Sequence, residues 1–141
     1  MVKYVVDASV CLKWLIPEVH WEEAGRLRAP TVASLAPEHL LPELGNALRS
    51  KHRRGEIGVE EANDLCQVVL DLPVELTPGR GLLAPALQLA IRYDRSVYDS
   101  LYITLALAEE CQFVTADRRL YNALAPVFSG TMLWVEDIPV F

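Results

Sequence analysis

The chain has 141 residues, of which 52% are hydrophobic and 23% charged, a balance that fits a single globular domain burying about 70% of its unfolded surface and excludes a disordered chain. Nineteen acids against 13 lysines and arginines give a formal net charge of −6. A global positive field that would hold nucleic acid by counterion release is therefore excluded, and any such binding must be local.

In chain order, Val2 to Val6 is a short β-branched run ending at Asp7, and ASVCLKWLIPE after it reads as a helix stopped near Pro17. A second helical stretch is predicted from His20 to Arg28, then a strand from Val32 to Ala36. PEHLLPELGNALRSKHRRG reads as a helix ended by Gly55, either starting at Pro42 with proline in its first turn or kinked there. VEEANDLCQVVLDL has apolar residues at 59, 62, 65, 66, 69 and 70, a helical period closed by Pro73. VELTP is a short strand, and a helix is expected from Leu82 to Tyr93. SVYDSLYITLALAEEC is apolar almost all round, which marks a helix crossing the core. QFVTAD is a strand ending at Asp117, RRLYNAL a short helix and TMLWVED a last strand.

Strands alternating with helices imply an α/β fold, a mostly parallel sheet covered on both faces, formed by one domain over residues 1–141. No stretch reaches the roughly 18 unbroken apolar residues of a membrane span, and MVKYVVDASV lacks a signal-peptide core. Cys11, Cys66 and Cys111 are odd in number and widely spaced, giving neither a disulfide framework nor a C-x-x-C motif. A cytoplasmic protein whose thiols are small buried hydrophobes is expected. Trp14, Leu15, Ile16 and Trp21 form an aromatic-rich patch, read as core.

In open parallel sheets the reactive site lies beyond the carboxyl ends of the strands. Asp7 and Asp117 both stand there, so their carboxylates share one rim. Each could equally cap the helix that follows it, Ser96-x-x-Asp99 could be a capping box, and Glu43 alone could be a solvated helix residue. The joint pattern is harder to set aside, because Asp99 has Tyr102, Ile103 and Ala106 at i+3, i+4 and i+7 and needs a partner, for which Arg95 or a cation at the rim would serve. Two carboxylates about 5 Å apart repel by about 3 kcal/mol at an effective dielectric of about 20. Hard oxygen donors select Mg²⁺ or Mn²⁺. Zinc is not expected, since His20, His39 and His52 share no ligand spacing with each other or with a cysteine. Such a centre acidifies water and clamps a phosphoryl group, the needs of phosphodiester hydrolysis.

The strings VVDASVCLKWLIPE, PELGNAL, SVYDSLYITLALA and FVTADRRL, in this order over nearly the whole chain, resemble the PIN-domain family and, within it, the VapC-type toxin ribonucleases. The resemblance implies a three-layer α/β/α sandwich. It also implies an acidic quartet of Asp7, Glu43, Asp99 and Asp117 that binds Mg²⁺ or Mn²⁺ and cleaves RNA by a metal-activated water. Ser9, Thr115 and Asn46 match polar positions of that site. A VapB-type antitoxin that inserts a basic side chain near the acids, and a homodimer, are implied as partners.

Arg49, Lys51, His52, Arg53 and Arg54 form the one basic cluster and continue the helix that carries Glu43. At about 100° per residue, Asn46, Ser50 and Arg54 share a face with Glu43, Arg54 lying about 16 Å along the axis. That face could lead from the acids to a phosphate backbone, or the cations could simply complement the helix dipole. Arg118 and Arg119 could likewise touch phosphate or solvent. The competing functions are a catalytically weak PIN-like module that binds RNA or protein, and a receiver-like phosphoacceptor, which would need a lysine that TMLWVED lacks.

Overall fold

Five short, mostly apolar runs pair into one parallel sheet in the computed structural model, which describes residues 1–141. The strands are β1 (Val2–Val6), β2 (Val32–Pro37), β3 (Val74–Thr77), β4 (Gln112–Thr115) and β5 (Met132–Trp134). Seven helices connect them: α1 (Ala8–Leu15), α2 (Trp21–Gly25), α3 (Leu40–Arg53), α4 (Val59–Leu70), α5 (Leu83–Tyr93), α6 (Val97–Ala108) and α7 (Arg118–Leu124). The strand order is β3-β2-β1-β4-β5. Right-handed crossovers then put α1 to α4 on one face and α5 to α7 on the other. This is the α/β sandwich expected, with an all-parallel sheet.

The order itself locates the site. From β1 the chain winds outward to β2 and β3, then returns to β4 on the other side of β1, so the direction of winding reverses between β1 and β4. Ligands of open parallel sheets bind at such a reversal, outside the carboxyl ends of the strands. Register aligns Val5 with Phe113 and Val6 with Val114, which brings Asp7 beside Thr115.

Helix α6 is the core helix that its composition implied. Residues 100–106 are all buried, and it packs on β1, β2 and β4. Two helical readings hold in finer form, and the last strand is corrected. The stretch after His20 is one short helix that tightens into a 3₁₀ turn at Arg26–Arg28. Of the two alternatives for Pro42, proline in the first turn holds: it is the third residue of α3, where the amide it lacks has no intrahelical acceptor anyway. The last strand stops at Trp134, since Val135–Asp137 wind into a 3₁₀ turn that buries Val135. Cys11 is buried as expected, whereas Cys66 is exposed on α4 and Cys111, half-buried, lies in the bend after α6. In the aromatic patch, Trp14 is half-buried and donates from Nε1 to the Ala24 carbonyl at 2.8 Å, while Trp21 is 49% exposed.

Candidate active site

The carboxyl ends of β1 and β4 are tied together by hydroxyls. Asp7 is buried and receives Ser9 Oγ on Oδ1 and Thr115 Oγ1 on Oδ2, each at 2.5 Å. The Val10 amide donates to Oδ1 at 3.2 Å, so Asp7 also caps α1. Ser9 Oγ accepts from the Ala116 amide at 2.9 Å, and Thr115 Oγ1 accepts from the Asp117 amide at 3.1 Å. Each hydroxyl has one proton, and both protons point at Asp7. The carboxylate is thereby fixed in orientation, with its hydrogen-bond demand met and its charge left unbalanced: no lysine, arginine or histidine lies within 4 Å of it. Burial raises its pKa to about 6 against the lowering effect of these three hydrogen bonds, with the Glu43 charge adding to the rise.

Glu43 stands in the first turn of α3 and Asp99 in the first turn of α6, both at this same edge of the sheet. Glu43 Oε2 accepts from the Tyr102 hydroxyl at 3.3 Å, and burial keeps that phenol protonated by raising its pKa. His39 Nε2 lies 2.9 Å from Glu43 Oε1 but without an aligned N–H, so no hydrogen bond is formed. Asp99 is half-buried. Its amide is capped by Ser96 Oγ at 3.0 Å, and burial first, then the charges of Asp117 and Glu43, raise its pKa against the pull of Ser96 and Arg95. Arg95 forms no ion pair with it and instead donates from Nε to the Asp94 carbonyl at 2.9 Å. Asp117 is exposed and caps α7 through the Leu120 amide at 3.2 Å. The capping readings of Asp7, Ser96 and Asp117 thus hold, and the cap of α7 uses only Oδ1 of Asp117.

One expectation is corrected in form. The four acids meet at one rim and feel one another's charge, yet no three of the chain's His, Cys, Asp and Glu side chains converge closely enough to hold a metal ion.

Asn46 is exposed one turn beyond Glu43 and lines an open groove of about 620 Å³ with Ala8, His39, Pro42, Glu43, Ala47 and Tyr98. The basic cluster is divided. Lys51 is buried against Glu18 at 3.2 Å, Arg54 pairs with Glu56 at 2.6 Å, and Arg49 and Arg53 are exposed without an acidic partner. Arg118 lies over the Trp134 ring, its guanidinium carbon 3.7 Å from the centroid. Sequence reasoning missed His39 and Tyr102 as neighbours of Glu43. The spacing of His39, at the N-cap of α3, from Glu43 four residues on carried a signal. The contact from Tyr102 spans 59 positions and carried none.

The PIN domain profile matches residues 4–124. Ribonuclease VapC3 of Pyrobaculum aerophilum is 29% identical over 84% of this chain and 92% of its own length. Ribonuclease VapC9 of Mycobacterium tuberculosis is 33% identical over 82% and 87% respectively. Among solved structures, PAE2754 from Pyrobaculum aerophilum superposes with a TM-score of 0.70 at 25% identity, covering 96% of this chain and 85% of that one. VapC20 of Mycobacterium tuberculosis, a sarcin-ricin loop cleaving toxin, does so with 0.64 at 20% identity over 85% and 94%, a likeness of fold.

Proposed function

The chain belongs to the PIN-domain family, in its VapC branch, and from that premise we propose that it is a divalent-metal-dependent endoribonuclease toxin, held in check by a VapB-like antitoxin and assembled as a homodimer. The observation that supports this reading most is Asp7: a buried carboxylate, oriented by two hydroxyls, with no basic partner. A structural acid in that position would be neutralised by a guanidinium or ammonium. A buried acid that lacks one is suited to a cation from solution.

The donor set fits Mg²⁺ or Mn²⁺ in kind. It is all oxygen, and it offers one buried carboxylate, Asp7, with three solvent-reachable ones, Glu43, Asp99 and Asp117. Bound by these residues, the ion would neutralise the phosphodiester, acidify an attacking water and stabilise the departing 3′-oxygen. The chain's own groups do the rest. Ser9 and Thr115 fix the Asp7 oxygens. The Tyr102 phenol holds Glu43 from one side. The N-termini of α1, α3 and α6 point their partial positive charge at the rim where a phosphate would lie. Arg49 and Arg53 are free to meet the flanking backbone; Arg54 and Arg118 would do so only by leaving Glu56 and Trp134.

Attack by water on phosphorus leaves a 5′-phosphate and a 3′-hydroxyl, whereas attack by the RNA 2′-hydroxyl leaves a cyclic phosphate. End-group analysis of cleaved single-stranded RNA is expected to show 5′-phosphates, with cleavage abolished by EDTA and restored by Mn²⁺. Cyclic ends, or cleavage that survives EDTA, would overturn the proposal. The unconverged side chains favour one other reading, a PIN-like module that binds without cutting. Under that reading Asp7→Asn would leave growth inhibition in cells intact.

A further inference from the structure

The groove beside Glu43 differs from the acidic rim that it joins. Three groove residues adjoin proposed catalytic acids: Ala8 follows Asp7, Tyr98 precedes Asp99, and Asn46 is one turn past Glu43. The lining is apolar at Ala8, Pro42 and Ala47, aromatic at Tyr98 and His39, and amide-bearing at Asn46. Tyr98 is 65% exposed although it is a large ring, and its inner side rests on His39 with centroids 5.7 Å apart. His39 in turn packs edge-on against Tyr102 at 4.9 Å, and Tyr102 stacks on Phe113 in the core at 5.5 Å. An aromatic column thus runs from the core to the surface and ends in the exposed Tyr98 ring that lines the groove.

We propose that this groove is the subsite for one unpaired nucleobase next to the scissile phosphate, with Tyr98 as its stacking platform and Asn46 as the reader of its edge. The inference rests on the ribonuclease reading and adds to it the origin of cleavage specificity. A phosphate held among the acids leaves its adjoining nucleoside within reach of the groove, whose volume of about 620 Å³ lies in the ordinary range for small-ligand sites. A flat ring offers every base a stacking surface, and an amide carries both a donor and an acceptor for base edges. A paired base could not enter, because both its faces and its edge would be occupied.

The test uses the full chain and two independent readouts. On a randomised single-stranded RNA, the wild-type protein is expected to show a base preference at one position beside the cut. Tyr98→Ala should raise KM about 10-fold with kcat little changed and flatten that preference, since removing a stacking ring typically costs a base this much. Tyr98→Phe should keep both, and Asn46→Asp should change which base is preferred. Separately, the indole introduced by Tyr98→Trp should be quenched by hexanucleotides of A, C or U. Quenching in a protein that does not cleave would uphold the subsite while removing the nuclease reading. Cleavage with KM and base preference unaltered in Tyr98→Ala would overturn the subsite alone, as would loss of antitoxin binding in that variant without change toward RNA.

Discussion

At the scale of the residue, the buried Asp7 carboxylate carries an energetic cost. Its pKa of about 6 in the fold against 3.8 unperturbed means that the folded state binds the proton more tightly than the unfolded one between those values. The penalty is absent below pH 3.8, grows as pH rises, and is complete above about pH 6, where it amounts to about 3 kcal/mol. Asp7→Asn is therefore predicted to stabilise the protein while lowering RNA cleavage about 100-fold or more. Thermal unfolding without divalent ions checks this. The stability gain of the variant should be about half as large at about pH 5 as at about pH 8, and a variant less stable than wild type at the higher pH would refute it. The acid itself was legible in the sequence because it ends a strand. Its two hydroxyl donors were legible only through the family resemblance, since the bond from Thr115 depends on β1 and β4 being neighbours.

Among the elements, α6 shows what a sequence pattern can and cannot say. Its near-continuous apolar run announced a helix buried on every side, and seven consecutive buried residues bear that out. The same burial isolates Thr104, whose Oγ1 has no hydrogen-bond partner. Thr104→Val is predicted to raise stability by about 1 kcal/mol, because an isosteric methyl has no hydrogen bond to lose; urea unfolding measures it, and a loss of stability would show a partner formed in solution. Element ends were harder to read than element types. The 3₁₀ turns at Arg26–Arg28 and Val135–Asp137 arise where a short segment must bury Leu27 or Val135 within one turn, a demand of tertiary packing that local periodicity does not encode. The basic run misled for a similar reason. Lys51 faces inward to Glu18 and Glu56 from other segments, so only part of a contiguous charge cluster is available to a ligand.

For the whole molecule, the parallel sheet places the first turns of α3 and α6 beside the ends of β1 and β4, and four acids far apart in sequence acquire one electrostatic environment. The alternation of elements made the common edge predictable. The side-chain positions were not predictable, since they depend on tertiary contacts such as that of Tyr102 with Glu43, 59 positions apart. No helix is long and apolar enough to cross a membrane, which agrees with the hydropathy of the chain. A cation that binds only the native state must also stabilise it. Millimolar Mg²⁺ is accordingly predicted to raise Tm by several degrees in the wild-type protein and by much less in Asp7→Asn; equal shifts in both would place the ion elsewhere.

The most direct test of a shared cation centre is calorimetric titration of the full chain with Mn²⁺ near neutral pH, alongside Asp99→Asn. The acids gathered at the β1–β4 reversal predict saturable binding that weakens at least about 10-fold in the variant, one lost ligand being worth about 1.4 kcal/mol or more. Undiminished binding in Asp99→Asn, or none in the wild-type protein, would contradict it.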